Sequence, residues 1–96
     1  MSNDETHEHD ERAAIRQALA AELRAAVARA DLTQGEVAER TGLHRVTVNR
    51  LLSGQRGIDV DQLFAFAFGL DLDPGELVDA AKRKYLEERA RLHTED

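Results

Sequence analysis

Apolar side chains recur every three or four positions along most of the chain, which places them on one face of an α-helix. The spacing predicts a first helix over about residues 11–30. At about 1.5 Å per residue this helix would reach roughly 30 Å, so its first half is expected to extend beyond one small core. Its apolar positions are Ile15, Leu19, Leu23, Ala26, Val27 and Ala30.

Two shorter helices joined by a glycine turn are predicted over residues 33–53. Thr33 and Glu36 have the spacing of a reciprocal capping box, which starts the first of them. Gly42 suits the left-handed turn that ends it, and a second helix then runs from about His44 to Ser53, closed by Gly54. That second helix has an inner stripe of Val48, Leu51 and Leu52 and an outer face of Arg45, Val46, Asn49 and Arg50.

Two further helices complete an all-α fold of five helices with extended first and last members. Asp59 and Gln62 form a second capping box before the fourth helix. Asp73 as N-cap, followed by Pro74 at the first helical position, begins the fifth. The apolar stripes are Leu63, Phe66, Ala67 and Leu70 in the fourth helix, and Leu77, Ala81, Tyr85 and Leu92 in the fifth.

Phe64 and Phe68 lie one turn apart in the fourth helix and have two interpretations. Either both fill the core, or they form a hydrophobic patch for a partner subunit. The fifth helix is also longer than a small core needs. Phe64, Phe68 and Tyr85 are therefore the candidate dimer interface.

The spacing L-T-Q-x-E-x-A-x-x-x-G-L-x-x-x-T-V-x-R-x-x-x-G over residues 32–54 resembles the lambda-repressor and Cro family of helix-turn-helix transcriptional regulators. The resemblance covers roughly residues 19–78 and implies a lambda-repressor-like domain over residues 11–96. It also implies that the third helix enters the major groove of double-stranded DNA and that two subunits pair on two half-sites. His44 and Gly35 depart from the residue types usual at their positions.

The outer face of the third helix carries side chains that can recognise base edges. An arginine can form two hydrogen bonds with guanine, an asparagine suits adenine, and a valine suits the methyl group of thymine. The resemblance assigns base reading to Arg45, Val46, Asn49 and Arg50, and contacts with the DNA backbone to Gln34, Thr47, Ser53 and Arg56. His44, at the start of the third helix, either contacts a phosphate or caps the helix, and it is counted with the backbone contacts.

The charge distribution supports this location although the net charge is −6. Affinity for DNA comes largely from neutralising phosphates, so an acidic protein at first argues against such a partner. Residues 40–57, however, carry four arginines and no acidic residue, whereas residues 58–81 carry six acidic residues and no basic one. Because salt screens charges beyond about 8–10 Å, the local basic segment can still attract DNA.

Other chemistry has little support. The chain has no cysteine and no spacing typical of a catalytic site, a metal site or a nucleotide-binding loop, so we expect a non-enzymatic protein without cofactor or metal. Residues 1–10 are predicted to be a disordered acidic tail, in which His7 and His9 are expected to be solvated. The acidic N-terminus and the lack of a long apolar run predict a cytoplasmic protein that does not bind membranes.

The leading hypothesis is a sequence-specific transcriptional regulator, most simply a repressor of the Cro type that occludes a promoter. One alternative is the antitoxin of a toxin–antitoxin pair, which would add a toxin-binding surface. Another is a protein-interaction module that kept the fold without binding DNA. Beyond DNA and a second copy of the chain, a toxin or a polymerase is the protein partner to consider.

Overall fold

A computed structural model describes residues 2–95, with side chains described for residues 11–92. Over the described residues the chain forms five α-helices and no strand. The helices are α1 (Ser2–Ala30), α2 (Gln34–Thr41), α3 (Arg45–Ser53), α4 (Val60–Gly69) and α5 (Pro74–Glu95). The predicted all-α class with long first and last helices is confirmed.

The helix starts follow from local side-chain hydrogen bonds. Thr33 Oγ1 accepts from the Glu36 N–H at 3.1 Å, and the Glu36 carboxylate accepts from the Thr33 N–H at 2.8 Å, so the first capping box is complete. Asp59 and Gln62 form the equivalent box before α4. Before α5, Asp73 Oδ1 accepts from the Gly75 N–H at 3.1 Å. These bonds satisfy donors that the first turn of a helix would otherwise leave unpaired.

One buried core joins all five helices. α1 packs most extensively against α5, while α2 contacts α3 and α4. Phe66, Val37 and Val48 are fully buried and lie at the centre. The core comprises Leu23, Ala26, Val37, Val48, Leu51, Leu52, Phe66, Ala67, Leu70 and Leu77.

Five apolar positions differ from the sequence-based expectation. Ala30, the last residue of α1, is exposed. Ile15 in α1 and Leu92 in α5 are 49% and 53% exposed, because both lie in parts of the long helices that project past the core. Phe64 and Phe68 are 46% and 63% exposed, so the interpretation that both fill the core is wrong. At 3.6 residues per turn both point away from the side of α4 on which Phe66 is buried.

The start of α1 also differs from the expectation. The sequence predicts a disordered tail over residues 1–10, whereas the backbone of residues 2–10 continues α1. Lengthening a helix that is already nucleated needs no new nucleus and adds a hydrogen bond with each residue. The side chains of this segment, including His7 and His9, lie outside the described residues, and a domain boundary at residue 10 stays a prediction.

Within the described part of the chain, no helix is both long enough and apolar enough to cross a membrane.

Candidate nucleic-acid interface

The turn between α2 and α3 is held by a glycine and a threonine. Gly42 has φ +75°, and its N–H donates to Ala38 O at 2.9 Å. Thr41 Oγ1 donates to Val37 O at 2.8 Å and accepts from the Leu43 N–H at 3.2 Å. These bonds fix the direction in which the chain leaves α2. They therefore set the angle at which α3 crosses it.

The recognition face, defined as Arg45, Val46, Asn49 and Arg50, is exposed on α3 as predicted. The opposite side of the helix is buried, with Val48 fully covered and Leu51 2% exposed. Val46 is 60% exposed, so it contributes little to packing within the domain. Packing on the buried side fixes the position of the α3 backbone from which the outer side chains project, which is a requirement for base recognition.

The start of α2 contacts the recognition face directly. Asn49 Nδ2 donates to Gln34 Oε1 at 3.3 Å. The Arg45 guanidinium lies beside Gly35, since its Nη1 would be 3.9 Å from a Cβ at that position. Gly35, which departs from the usual residue type, therefore lies next to the Arg45 side chain. Because 3.9 Å is an ordinary contact distance, the methyl group of an alanine at position 35 would fit beside Arg45.

Two side chains of α1 hold the carboxyl end of α3, and the sequence analysis did not identify them. Arg24 Nη1 donates to Leu52 O at 2.6 Å, and Gln17 Nε2 donates to Gly54 O at 3.3 Å. Both acceptors are carbonyls at a helix end, which carry partial negative charge. Gln17 and Arg24 are seven residues apart and so lie on one side of α1. Their partners are 37 and 28 residues away along the chain, so no local pattern reveals the contacts.

The residues assigned to the DNA backbone surround α3. Gln34 is the first residue of α2, and Thr47 is half-buried in the first turn of α3. His44 precedes α3 as its N-cap residue and is exposed, and its side chain makes no capping hydrogen bond. Ser53 donates to Arg50 O at 3.2 Å, and Arg56 is exposed in the loop after α3. His44 therefore does not cap α3 through its side chain, and its contact with phosphate stays a prediction.

The arginines around α3 have no acidic partner among the described side chains. The ion pairs found over residues 11–92 join Arg89 to Glu11 and Arg91 to Glu88. Glu36 lies at the start of α2, where the Thr33 N–H holds the pKa of its carboxyl below the ordinary value, with Arg40 adding a smaller effect. The positive charge of Arg45, Arg50 and Arg56 therefore remains available to an anionic partner.

The predicted dimer residues lie on α4 and α5. The Phe64 and Phe68 rings form an edge-to-face pair with centroids 5.7 Å apart and planes at 72°. Tyr85 is half-buried on α5. Arg89 of α5 reaches Glu11 of α1 at 3.9 Å, so the extension of α5 runs beside the first half of α1. Part of the apparent surplus of α5 is therefore used within the subunit.

Among the described residues, no group of three or more histidine, aspartate or glutamate side chains is placed to hold a metal ion.

A comparison with protein-family models matches residues 18–81 to the helix-turn-helix domain family, which covers more than half of the 96 residues. The chain belongs to the helix-turn-helix domain family. Its α2–turn–α3 unit is the helix-turn-helix, and proteins built on this unit place the second of its helices in the major groove. Membership therefore makes the chain a DNA-binding protein of the transcription-regulator class.

Solved structures agree on the fold. The chain is similar to the clp gene regulator ClgR from Corynebacterium glutamicum, with TM-score 0.75 and 21% identity over 83% of this chain and 85% of that one. A second structure of ClgR from C. glutamicum matches with TM-score 0.68 and 23% identity over 73% of this chain and 91% of that one. No curated protein sequence matches.

Proposed function

We propose that the chain is a sequence-specific regulator of transcription that reads the major groove with α3 and represses by occluding a promoter. The observation that carries the proposal is the composition of the recognition face. Two arginines, an asparagine and an exposed valine share the outer side of a helix that is buried on its inner side. These are side-chain types that distinguish base pairs in the major groove.

Each member of the recognition face has a proposed role. Arg45 and Arg50 each bind a guanine with two hydrogen bonds, and Val46 contacts a thymine methyl. Asn49 binds an adenine. Its hydrogen bond to Gln34 restricts the rotation of the amide, so its orientation is set before DNA arrives. The restriction favours one base over others because a fixed amide has one arrangement of donor and acceptor.

Residues around α3 are proposed to bind phosphates and set the docking position. They occupy the start of α2, both ends of α3 and the following loop. Such contacts supply affinity and register without reading sequence. The proposed set is Gln34, His44, Thr47, Ser53 and Arg56.

The test is selection of binding sites from a random duplex pool, followed by affinity measurements on the selected site. Arg45→Ala and Arg50→Ala should each weaken binding by about 1–3 kcal/mol and relax the preference at one base position. Arg56→Ala should weaken all sequences alike and reduce the salt dependence by about one contact. Arg83→Ala, which removes an exposed charge from α5, is the matched control. Unchanged site preference in both α3 variants would show that α3 is not the reader.

We also propose that two copies pair through Phe64 and Phe68, with Tyr85 at the margin. One α3 reads only about half a site, and two-fold pairing places two of them about 34 Å apart. The exposed aromatic pair supports this location, since aromatic side chains are enriched at the centres of protein interfaces.

An antitoxin is the second candidate function, because the exposed pair of Phe64 and Phe68 could also bind a toxin. Purification of the chain with a small basic protein bound would favour that second candidate.

A further inference from the structure

An apolar groove lies between α1 and the loop that follows α3. Its volume is about 270 Å³, and its floor includes Ile15, Leu19 and Ile58. Its rim carries Arg12, Arg16 and Arg56, and none of the described side chains that line it is acidic. The groove therefore has an aliphatic floor and a positively charged edge.

The groove joins α1 to a loop already assigned to DNA. Arg56 and Gly57 belong to that loop, and Arg16 Nε would be 3.8 Å from a Cβ on Gly57. Arg12 lies one helical turn from Arg16 on the same side of α1. The loop after α3, which carries Arg56, thus lies next to basic residues of α1.

None of the three arginines is neutralised by a described side chain. The ion pairs found over residues 11–92 involve other arginines, on α5. Arg12 is exposed and Arg16 is half-buried where they line the groove. Arginine commonly buries its aliphatic stem along apolar surface while its guanidinium group stays in water. Three clustered cations repel one another, so an anionic partner is favoured.

We propose that Arg12 and Arg16 of α1 bind backbone phosphates of the DNA duplex next to the bases that α3 reads, forming one continuous surface with Arg56. The inference rests on the proposed DNA-binding function and adds residues to it. Both arginines precede residues 18–81, the segment that matches the family model, so the family match does not by itself assign them a role.

A small amphiphilic anion is the other occupant that an apolar groove with a basic rim would suit. Pockets for small ligands usually enclose about 300–1,000 Å³ and cover most of the ligand. This groove is smaller and open along one side. An open groove with charge along its edge fits an extended polyanion better than an enclosed small molecule.

The experiment measures affinity for random-sequence duplex as a function of salt, which reports phosphate contacts without knowledge of the operator. The variants are Arg12→Ala, Arg16→Ala, the double variant and Arg16→Lys. Arg29→Ala is the matched control, because it removes the same charge from the opposite end of α1. Circular dichroism checks folding, and alanine at exposed helix positions favours the helix.

Each single alanine variant should make the negative slope of log K against log salt shallower by about 0.9, and the double variant by about 1.8. A fourfold rise in salt would then cost each single variant about 3.5-fold less affinity than it costs the wild type. Arg16→Lys should retain the slope because it keeps the charge. Arg29→Ala should match the wild type, since its charge lies more than a Debye length of about 8 Å from the groove.

Three outcomes would overturn the inference. Slopes for the Arg12 and Arg16 variants equal to that of Arg29→Ala would remove α1 from the DNA surface while leaving the proposed function intact. Binding of octanoate that is lost in the double variant, with unchanged DNA slopes, would assign the groove to a small amphiphile. Failure of the wild type to bind any duplex would instead reject the proposed function, and the inference with it.

Discussion

Gly54 and Gly42 provide a matched test of how α3 is held. Both have a left-handed backbone, with φ of +76° and +75°, and each ends a helix of the helix-turn-helix. Their surroundings differ. A Cβ on Gly42 would meet no atom within 4 Å, whereas a Cβ on Gly54 would lie 2.7 Å from Gln17 Cδ and closer still to its Nε2.

The structure sets the size of the two effects. An alanine in the left-handed region costs roughly 1–2 kcal/mol, and Gly42→Ala should lose only that. Gly54→Ala should lose the same amount and also displace the Gln17 side chain. This displacement breaks the 3.3 Å bond from Gln17 Nε2 to Gly54 O. A neutral hydrogen bond contributes about 0.5–1.5 kcal/mol, so the total for Gly54→Ala is about 1.5–3.5 kcal/mol.

Urea denaturation followed by circular dichroism measures these differences. For a domain of this size each kcal/mol lowers Tm by about 4–8 °C, so thermal unfolding gives a second measurement. A double-mutant cycle with Gln17→Ala isolates the contact, because Gly54→Ala in that background should cost only the backbone strain. Equal losses for Gly54→Ala and Gly42→Ala, with no coupling to Gln17, would refute this account of the α1–α3 contact.

Three further changes test other parts of the structure. Arg24→Ala removes a charged donor from Leu52 O and should lower the free energy of unfolding, measured by urea denaturation, by about 1–2 kcal/mol. This value is near the low end for a charged hydrogen bond because the site is partly exposed. An unchanged urea midpoint would contradict the contact. Phe68→Glu should leave helicity intact and convert a dimer to a monomer in sedimentation, whereas an unchanged dimer would place the interface elsewhere. The Glu36 pKa is lowered chiefly by the Thr33 N–H, so the carboxylate stabilises the fold above its unfolded pKa of about 4.3, and that stabilisation is lost as the pH falls through the lowered folded pKa. The stability difference between the wild type and Glu36→Gln should therefore be present at pH 7 and shrink as the pH falls below about 4.3, and a constant difference would contradict the shift.

Local sequence determined the helices and the recognition face. The capping boxes at Thr33 and Asp59, and the turn at Gly42, depend on hydrogen bonds between residues at most four positions apart. Their residue types and spacing are therefore sufficient to predict them. Much of the exposed face of α3 also follows from sequence, because a period of 3.6 residues that buries Val48 and Leu51 must turn Val46 and Arg50 outward.

Only the tertiary structure decided which apolar faces are covered and which distant side chains meet. Periodicity marks an apolar face, but burial depends on whether a neighbouring helix lies over it, and Phe68 and Ile15 are left 63% and 49% exposed. The bond from Arg24 to Leu52 and the groove that brings Arg16 beside the loop after α3 join segments about 28 and 41 positions apart. Such contacts depend on how whole helices pack against one another, and the spacing of residues within one helix carries no information about that packing.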